Sequence, residues 1–239
     1  MTEPHQQFTI SADVYDIIYE ELVDYLAHTD HIVSIIEARR PGARSVLEMA
    51  CGTGQVLSRL AGNYSVVGSD ISSEMLRVCG RKHPGIELHQ GDYAVIDLGR
   101  RFDAVLCLFS SIGYVKDLER LDAAISNLVV HTEPGGVVIV DGWLRPEGAI
   151  DGFQNQQSFE SDGVLVTRST LAFVRDGHTD MYAGHLVNDG SDILTYIERH
   201  EMGLFEDAEY LASMEKAGLT DLEVLSGFDD RGRFVGTRT

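Results

Sequence analysis

Apolar and polar positions follow two different rhythms along this chain. Up to Trp143, short apolar runs such as "ARSVLEMA", "SVVGSD", "FDAVLCLF" and "VVIVDGW" alternate with segments such as "SEMLRVCGRKH" and "LERLDAAISNLVVHT", whose apolar residues recur every three or four positions. A strand buried on both faces reads as a continuous apolar run, and a helix with one buried face repeats with a period of 3.6. The alternation predicts a mostly parallel sheet covered by helices, with "GIELHQGD" as a further strand and "EPGG" as a turn. From Arg145 to Arg199 the period drops to two in "GVLVTRSTLAFV", "DMYAGHLV" and "DILTYIERH", separated by Asp-Gly and Asn-Asp-Gly turns. Those are antiparallel hairpin signals. A helix, "DAEYLASMEKAG", and the strands "LEVLSGF" and "RFVGTR" close the chain.

The expected architecture is one doubly wound, mostly parallel Rossmann-like α/β domain over residues 1–239, with helices on both faces and an inserted antiparallel hairpin region. Its expected parts are an N-terminal helical lid (1–40), a ligand-binding core (41–144), an antiparallel insertion over the acceptor site (145–204) and a segment that completes the sheet (205–239). The 239 residues suit a single α/β domain. Neither a transmembrane run nor a signal-peptide pattern is present, so the expected compartment is the cytoplasm. Cys51, Cys79 and Cys107 have no disulfide or zinc spacing and read as small buried residues. A formal charge of −19 repels polyphosphate, which argues against nucleic acid as a partner; an attraction for cationic amines is its sharper, weaker implication.

The run "VLEMACGTGQVL" places a Gly-rich turn between a strand and a helix, the general device for bringing main-chain N–H groups against a nucleotide-like ligand. "GTG" alone is weak evidence, and Leu57 stands where a dinucleotide fingerprint has its third glycine. A ligand without a pyrophosphate fits better. Asp70 ends the next strand, where a carboxylate accepts both hydroxyls of a ribose, and Asp92 ends the one after. With Glu48, three acids are expected to converge at the carboxyl edge of the sheet.

On "EMACGTG", "GSD" and "QGDY" the sequence resembles the S-adenosylmethionine-dependent methyltransferases with a Rossmann-like sheet. The resemblance implies S-adenosyl-L-methionine as cofactor, with Glu48, Ala50, Gly52 and Gly54 under its methionine half and Asp70 with Ile71 at the ribose. It puts Asp92, Tyr93 and Met75 at the adenine, and Phe109, Tyr15 and Tyr25 beside the cofactor. "ADVYDIIY", "LFSSIGY", "LFEDAEYLASMEKAGL" and "RGRFVG" extend the resemblance over most of the chain, to the N-methyltransferases that dimethylate amino-deoxysugars in antibiotic biosynthesis. Carried over by position, Tyr19, Ser110, Ser111 and Arg231 would surround the acceptor, a small-molecule amine, and Tyr114 is the candidate catalytic residue. Trp143, Arg145 and His185 complete the expected acceptor set. Tyr15, Tyr19 and Tyr25 also suit a plain packing stripe and Tyr114 a merely structural tyrosine, while His185 and His200, either of which could face the acceptor, better suit a half-exposed sheet face.

The chain departs from those relatives at Glu20 and Glu21, at Asp229 and Asp230, and at "WLRPE", where Arg145 is a candidate substitute cation. Acids beside a diphosphate oppose it by Coulomb repulsion, although exposed charges are screened. Two acceptors therefore stand open, a thymidine-diphosphate amino sugar and a nucleotide-free amine such as a lincosamide-type late intermediate. An NAD-dependent oxidoreductase lacks both its third glycine and a Tyr-x-x-x-Lys pattern here, and a non-catalytic cofactor-binding protein is the remaining alternative. No carboxylate cluster calls for a metal. Homo-oligomerisation is compatible with the sequence.

Overall fold

The computed structural model describes residues 5–6, 8–227, 229 and 231–239. Seven strands form the main sheet: β2 (Ser45–Met49), β3 (Ser65–Asp70), β4 (Glu87–Gln90), β5 (Phe102–Cys107), β6 (Thr132–Asp141), β11 (Leu219–Ser226) and β12 (Gly232–Arg238). Their order is β11-β12-β6-β5-β2-β3-β4, parallel except for the antiparallel pairings of β11 with β12 and of β12 with β6. Chain order reverses between β2 and β5, and the crevice of a doubly wound sheet opens at the carboxyl ends of such a pair.

The period of two sorts the central strands onto two cores. Leu47, Met49, Val105, Cys107, Val138 and Val140 face α5 (Leu118–Val130) and α6 (Asp207–Lys216), through Leu121, Ile125, Leu128, Tyr210 and Met214. Val46, Ala104, Leu106, Val137 and Ile139 face α2 (Tyr25–Arg39) and α3 (Gln55–Leu60), through Ile32, Ile35, Ile36, Val56 and Leu60. Caps mark where the helices start: Asp24 accepts from the Ala27 N–H, Ser72 from Met75 at the head of α4 (Ser73–Lys82), and Asp117 from Arg120, while Glu206 and Glu209 form a capping box.

The hairpin region is a second, five-stranded sheet of β7 (Phe153–Ser161), β8 (Val164–Arg175), β9 (His178–Asn188), β10 (Ile193–Gly203) and β1 (His5–Gln6), in the order β1-β10-β9-β8-β7. Two of its turns are Asp162-Gly163 and Asp176-Gly177, all four residues at positive φ, as tight hairpins need. Three details differ from the sequence reading. The N-terminal segment is not helical throughout, because β1 pairs in parallel with β10 before the 3₁₀ turn Ser11–Asp13, α1 (Tyr15–Tyr19) and α2 begin. "EPGG" is no free turn but an irregularity inside β6, where the register slips between Thr132 and Val137. Asp92 lies past the end of β4, in a turn where its own carboxylate accepts from the Ala94 N–H.

Candidate active site

Between the carboxyl edge of the main sheet and the inner face of the hairpin sheet lies a cavity of about 610 Å³. The Gly-rich turn forms one end. Ala50, Gly52 and Gly54 all have positive φ, which turns the chain sharply from β2 into α3. A Cβ on Gly52 would meet nothing within 4 Å, so this glycine leaves an open cradle. A Cβ on Gly54 would lie 2.5 Å from Cys79 Sγ, so this glycine serves the packing of the turn on α4 rather than the approach of a ligand. Leu57, at the position of the missing third glycine, packs its Cδ2 where a Cβ on Gly68 of β3 would come within 2.7 Å.

Asp70 accepts the Gly52 N–H at 2.9 Å and the Ser72 N–H at 2.8 Å. Burial raises its pKa, those main-chain donors hold it down, and each carboxylate oxygen keeps acceptor capacity for a ribose hydroxyl. Glu48 lines the cavity, 3% exposed, and its Oε2 has no hydrogen-bond partner among the described residues. Burial pushes this carboxyl well above the ordinary range, with nearby Cys79 and Asp70 acting in the same direction. An orphaned buried acid beside an open glycine cradle suits the ammonium of an amino-acid group, and the paired oxygens of Asp70 suit a ribose; these residues fit S-adenosylmethionine.

The remaining expected cofactor residues divide. Phe109, Tyr15 and Tyr25 line the cavity, Phe109 with its N–H bonded to Asp141 at 3.1 Å. Gly54, Asp70, Ile71, Met75, Asp92 and Tyr93 are not on its wall. Met75 is buried against Ala12 and Val78, with Phe8 and Tyr15 over them. Ile71 is exposed, Asp92 is paired with Arg120 at 2.6 Å, and the Tyr93 hydroxyl donates to the Ser111 carbonyl. The main-chain carbonyl of Phe8, which accepts from the Ser72 hydroxyl, carries the N-terminal segment across this end of the site.

At the acceptor end, Tyr19, Ser111, Tyr114, Trp143, His185 and Arg231 all line the cavity. Ser110 stands just behind it in the left-handed region, its hydroxyl donating to the Gly142 carbonyl and accepting from Arg231. Arg231 sits over the Trp143 ring at 4.3 Å, and burial lowers its pKa. Arg145 faces elsewhere: it makes a two-point ion pair with Asp207 and does not line the cavity, which corrects its placement as an acceptor cation. Glu20 also points away, accepting from Gln55 and lying near Lys82, and Glu21 is exposed. Asp229 does line the cavity, 4.0 Å from Arg231, while Asp230 lies outside the described residues.

Three functional candidates, Arg168, Glu198 and Phe8, were missed by sequence reasoning, and a fourth, His200, was weighed for the acceptor site but placed on a half-exposed face. Arg168 of β8 lines the cavity with its guanidinium over the Tyr19 ring and bonded to that hydroxyl. His200, expected on a half-exposed face like His185, is 5% exposed and places Nδ1 2.8 Å from the Tyr114 hydroxyl oxygen. Glu198, 1% exposed, accepts from the N–H groups of Thr9, Ile10 and Ser11 and from the Ser11 hydroxyl. Phe8 packs edge-on against Tyr15, Tyr114 and His200. The inward period-two positions of β10 were the available signal for Glu198 and His200.

Residues 46–136 match the family model described as "Methyltransferase domain". The chain is 37% identical over 229 residues to a Streptomyces venezuelae dTDP-3-amino-3,4,6-trideoxy-α-D-glucopyranose N,N-dimethyltransferase, covering 94% of this chain and 96% of the relative. It belongs to the amino-sugar N-methyltransferases. A Streptomyces fradiae dTDP-3-amino-3,6-dideoxy-α-D-glucopyranose N,N-dimethyltransferase is 34% identical, over 94% of this chain and 89% of the relative. The crystal structure of Streptomyces venezuelae DesVI superposes on this methyltransferase with a TM-score of 0.91 at 38% identity, covering 95% and 98% of the two chains. The S-adenosylmethionine-bound amino pentose methyltransferase CalS10 superposes with a TM-score of 0.84 at 29% identity over the full length of both chains. The methyltransferase is thus S-adenosylmethionine-dependent, and no helix among its described residues is long and apolar enough to cross a membrane.

Proposed function

We propose that the enzyme transfers methyl groups to the amine of a thymidine-diphosphate amino-deoxysugar, in two successive rounds. The observation that carries this reading is the pair of guanidiniums, Arg168 and Arg231, among the residues that line the cavity. Each lies over an aromatic ring, and among the described residues the carboxylate of Asp229 lies 4.0 Å from Arg231 and is 65% exposed. A carboxylate so exposed is screened by water and salt, whereas a bound diphosphate would relieve the desolvation of Arg231 directly. Of the acids that spoke against a diphosphate, Glu20 and Glu21 do not line the cavity, Asp229 does, and Asp230 lies outside the described residues. The named activities of the Streptomyces relatives support the same acceptor class and double methylation.

S-adenosylmethionine supplies, when bound, an electrophilic methyl group on a sulfonium. The chain's own task is to hold a neutral amine in line with it, and orientation of this kind is worth about 7–11 kcal/mol of a barrier. Tyr114 enters the cavity from the 3₁₀ turn Ser111–Tyr114 after β5, and burial raises its hydroxyl well above the ordinary phenol range, so it stays neutral. His200 beside it is pushed down to about 4 by burial. Moving a proton from an alkylammonium, at about 10 like lysine, to such an imidazole costs about 8 kcal/mol. The pair therefore orients the amine and does not store its proton.

Calorimetry on the enzyme saturated with S-adenosylhomocysteine tests the acceptor class. Thymidine diphosphate is expected to bind, with affinity falling about tenfold or more in Arg168→Gln and in Arg231→Gln, since each loses a charge-assisted hydrogen bond. Heat from a nucleotide-free amino sugar conjugate but none from thymidine diphosphate would overturn the nucleotide assignment and leave the methyltransferase assignment standing.

A further inference from the structure

We infer that His200 is a positioning residue for methyl transfer: it takes up the Tyr114 hydroxyl proton in a hydrogen bond, which leaves the phenol oxygen to accept from the substrate amine. The inference rests on the reading that Tyr114 faces the acceptor amine. Strand alternation on β10 carries Tyr196, Glu198, His200 and Met202 to the buried face of the hairpin sheet, and the 3₁₀ turn that ends in Tyr114 packs against that strand. Two glycines set the separation. A Cβ on Gly113 would come within 2.9 Å of Met202 Cε, and a Cβ on Gly203 within 2.6 Å of the Val115 carbonyl. Neither residue is at positive φ, so close approach, not backbone conformation, is what these glycines permit. The approach places His200 Nδ1 2.8 Å from the Tyr114 oxygen.

The ring's other nitrogen decides who donates. Nε2 lies 4.0 Å from the buried carboxylate of Glu198. That negative charge favours a proton on Nε2, so in the neutral imidazole Nδ1 carries the lone pair and accepts from the Tyr114 hydroxyl. Burial keeps the imidazole neutral near pH 7. Edge-on packing of Phe8 against both rings shields the pair from water. A phenol whose proton is held by His200 presents only lone pairs to the cavity. An amine N–H donated to that oxygen aims the nitrogen lone pair away from it, and the same oxygen stabilises the positive charge that grows on nitrogen as the new C–N bond forms and the S–CH₃ bond breaks.

The test uses Tyr114→Phe, His200→Phe, His200→Asn and the double variant Tyr114→Phe/His200→Phe, assayed with dTDP-3-amino-3,6-dideoxyglucose, together with ¹⁵N NMR of the histidine rings. An asparagine carbonyl can take the place of Nδ1 as acceptor, and phenylalanine cannot. Expected are a kcat about tenfold lower in Tyr114→Phe and in His200→Phe with KM little changed, near-normal kcat in His200→Asn, and no further loss in the double variant. The ¹⁵N spectrum is expected to show the neutral Nε2–H tautomer, with an Nδ1 signal that moves in Tyr114→Phe. Additive losses, or equal loss in His200→Asn and His200→Phe, would overturn the positioning role while leaving Tyr114 at the acceptor. An unaltered kcat in Tyr114→Phe would overturn both. An Nδ1–H tautomer would overturn the role of His200 whatever the acceptor.

Discussion

Two glycines separated by one threonine do different work in the cofactor turn, and their variants should separate accordingly. Gly52 sits at φ +55 with open space where a Cβ would be, and its N–H is held by Asp70; Gly54 sits at φ +82 with Cys79 Sγ in the way. Gly54→Ala combines left-handed strain with overpacking against α4, at about 1–3 kcal/mol for each effect. Gly52→Ala carries the strain alone but puts a methyl group into the cradle. The expected outcome is a large fall in Tm for Gly54→Ala, and for Gly52→Ala a smaller fall with at least tenfold weaker S-adenosylhomocysteine binding, read by differential scanning and titration calorimetry. If Gly54→Ala lost cofactor affinity with its Tm intact, the ligand and not Cys79 would be what excludes a side chain there.

Single elements carry the site, and they differ in how plainly the sequence announced them. Apolar runs such as "VVIVDGW" had only one environment to go to, between two helical layers, and the strand ends at Glu48 and Asp70 followed with them. Tyr114 was legible for the same reason, because it follows a strand of that sheet. β10 was not. Glu198 and His200 alternate with Ile197 and Arg199, and a polar residue at every second position of a hairpin strand usually marks the wet face. Here the polar positions point inward, because the cavity and the N-terminal segment behind it supply their partners. Those partners lie up to 189 residues away along the chain, beyond what local periodicity can encode. Arg145 shows the opposite error: the sequence located the cation, but Asp207 at the head of α6 claims it.

The same element makes a testable claim about the cover of the site. Glu198 gathers three consecutive main-chain N–H groups and the Ser11 hydroxyl, so it fastens residues 9–11 to the hairpin sheet, while Ser72 fastens Phe8 to the cofactor side. Glu198→Ala removes the acceptor from all four donors. Each buried donor left unmet costs about 1–3 kcal/mol, and the segment escapes that cost by opening to water. Hydrogen exchange at Thr9, Ile10 and Ser11 is expected to quicken at least tenfold, with protection in β2 and β5 unchanged and faster release of S-adenosylhomocysteine. Unchanged exchange at those amides would mean that Phe8 packing and the Ser72 contact hold the cover without Glu198.

At the scale of the whole molecule, buried imidazoles set how stability depends on pH. His28, His31, His83, His185 and His200 are all held below the ordinary imidazole range, burial being the largest cause in each. His28 and His200 are pushed down to about 4. Around His28, Asp141 favours the charge, and Arg233 and His31 oppose it; around His200, Glu198 favours it, and His185 and Arg168 oppose it. Unfolded, each titrates near 6.5, so between about pH 4 and 6.5 the unfolded chain binds more protons and stability rises with pH. One proton at about 1.4 kcal/mol per pH unit gives each of these two about 3 kcal/mol across that window. Glu48 and Asp70 work the other way: burial raises both, so their contribution is greatest in acid and is lost as pH rises through their folded values. His28 and His200, at about 3 kcal/mol each, with three further histidines shifted in the same direction, set the expected sign. Acid also relieves the self-repulsion of a chain with a formal charge of −19, but salt screens that effect and leaves the buried groups almost untouched. The expected result is a Tm that climbs from about pH 5 to about pH 6.5 and then levels, in low and high salt alike, with a shallower climb in His200→Asn. A Tm that fell across that interval in high salt would mean that Glu48 and Asp70 outweigh the histidines, and that the cofactor end of the site holds more strain than the acceptor end.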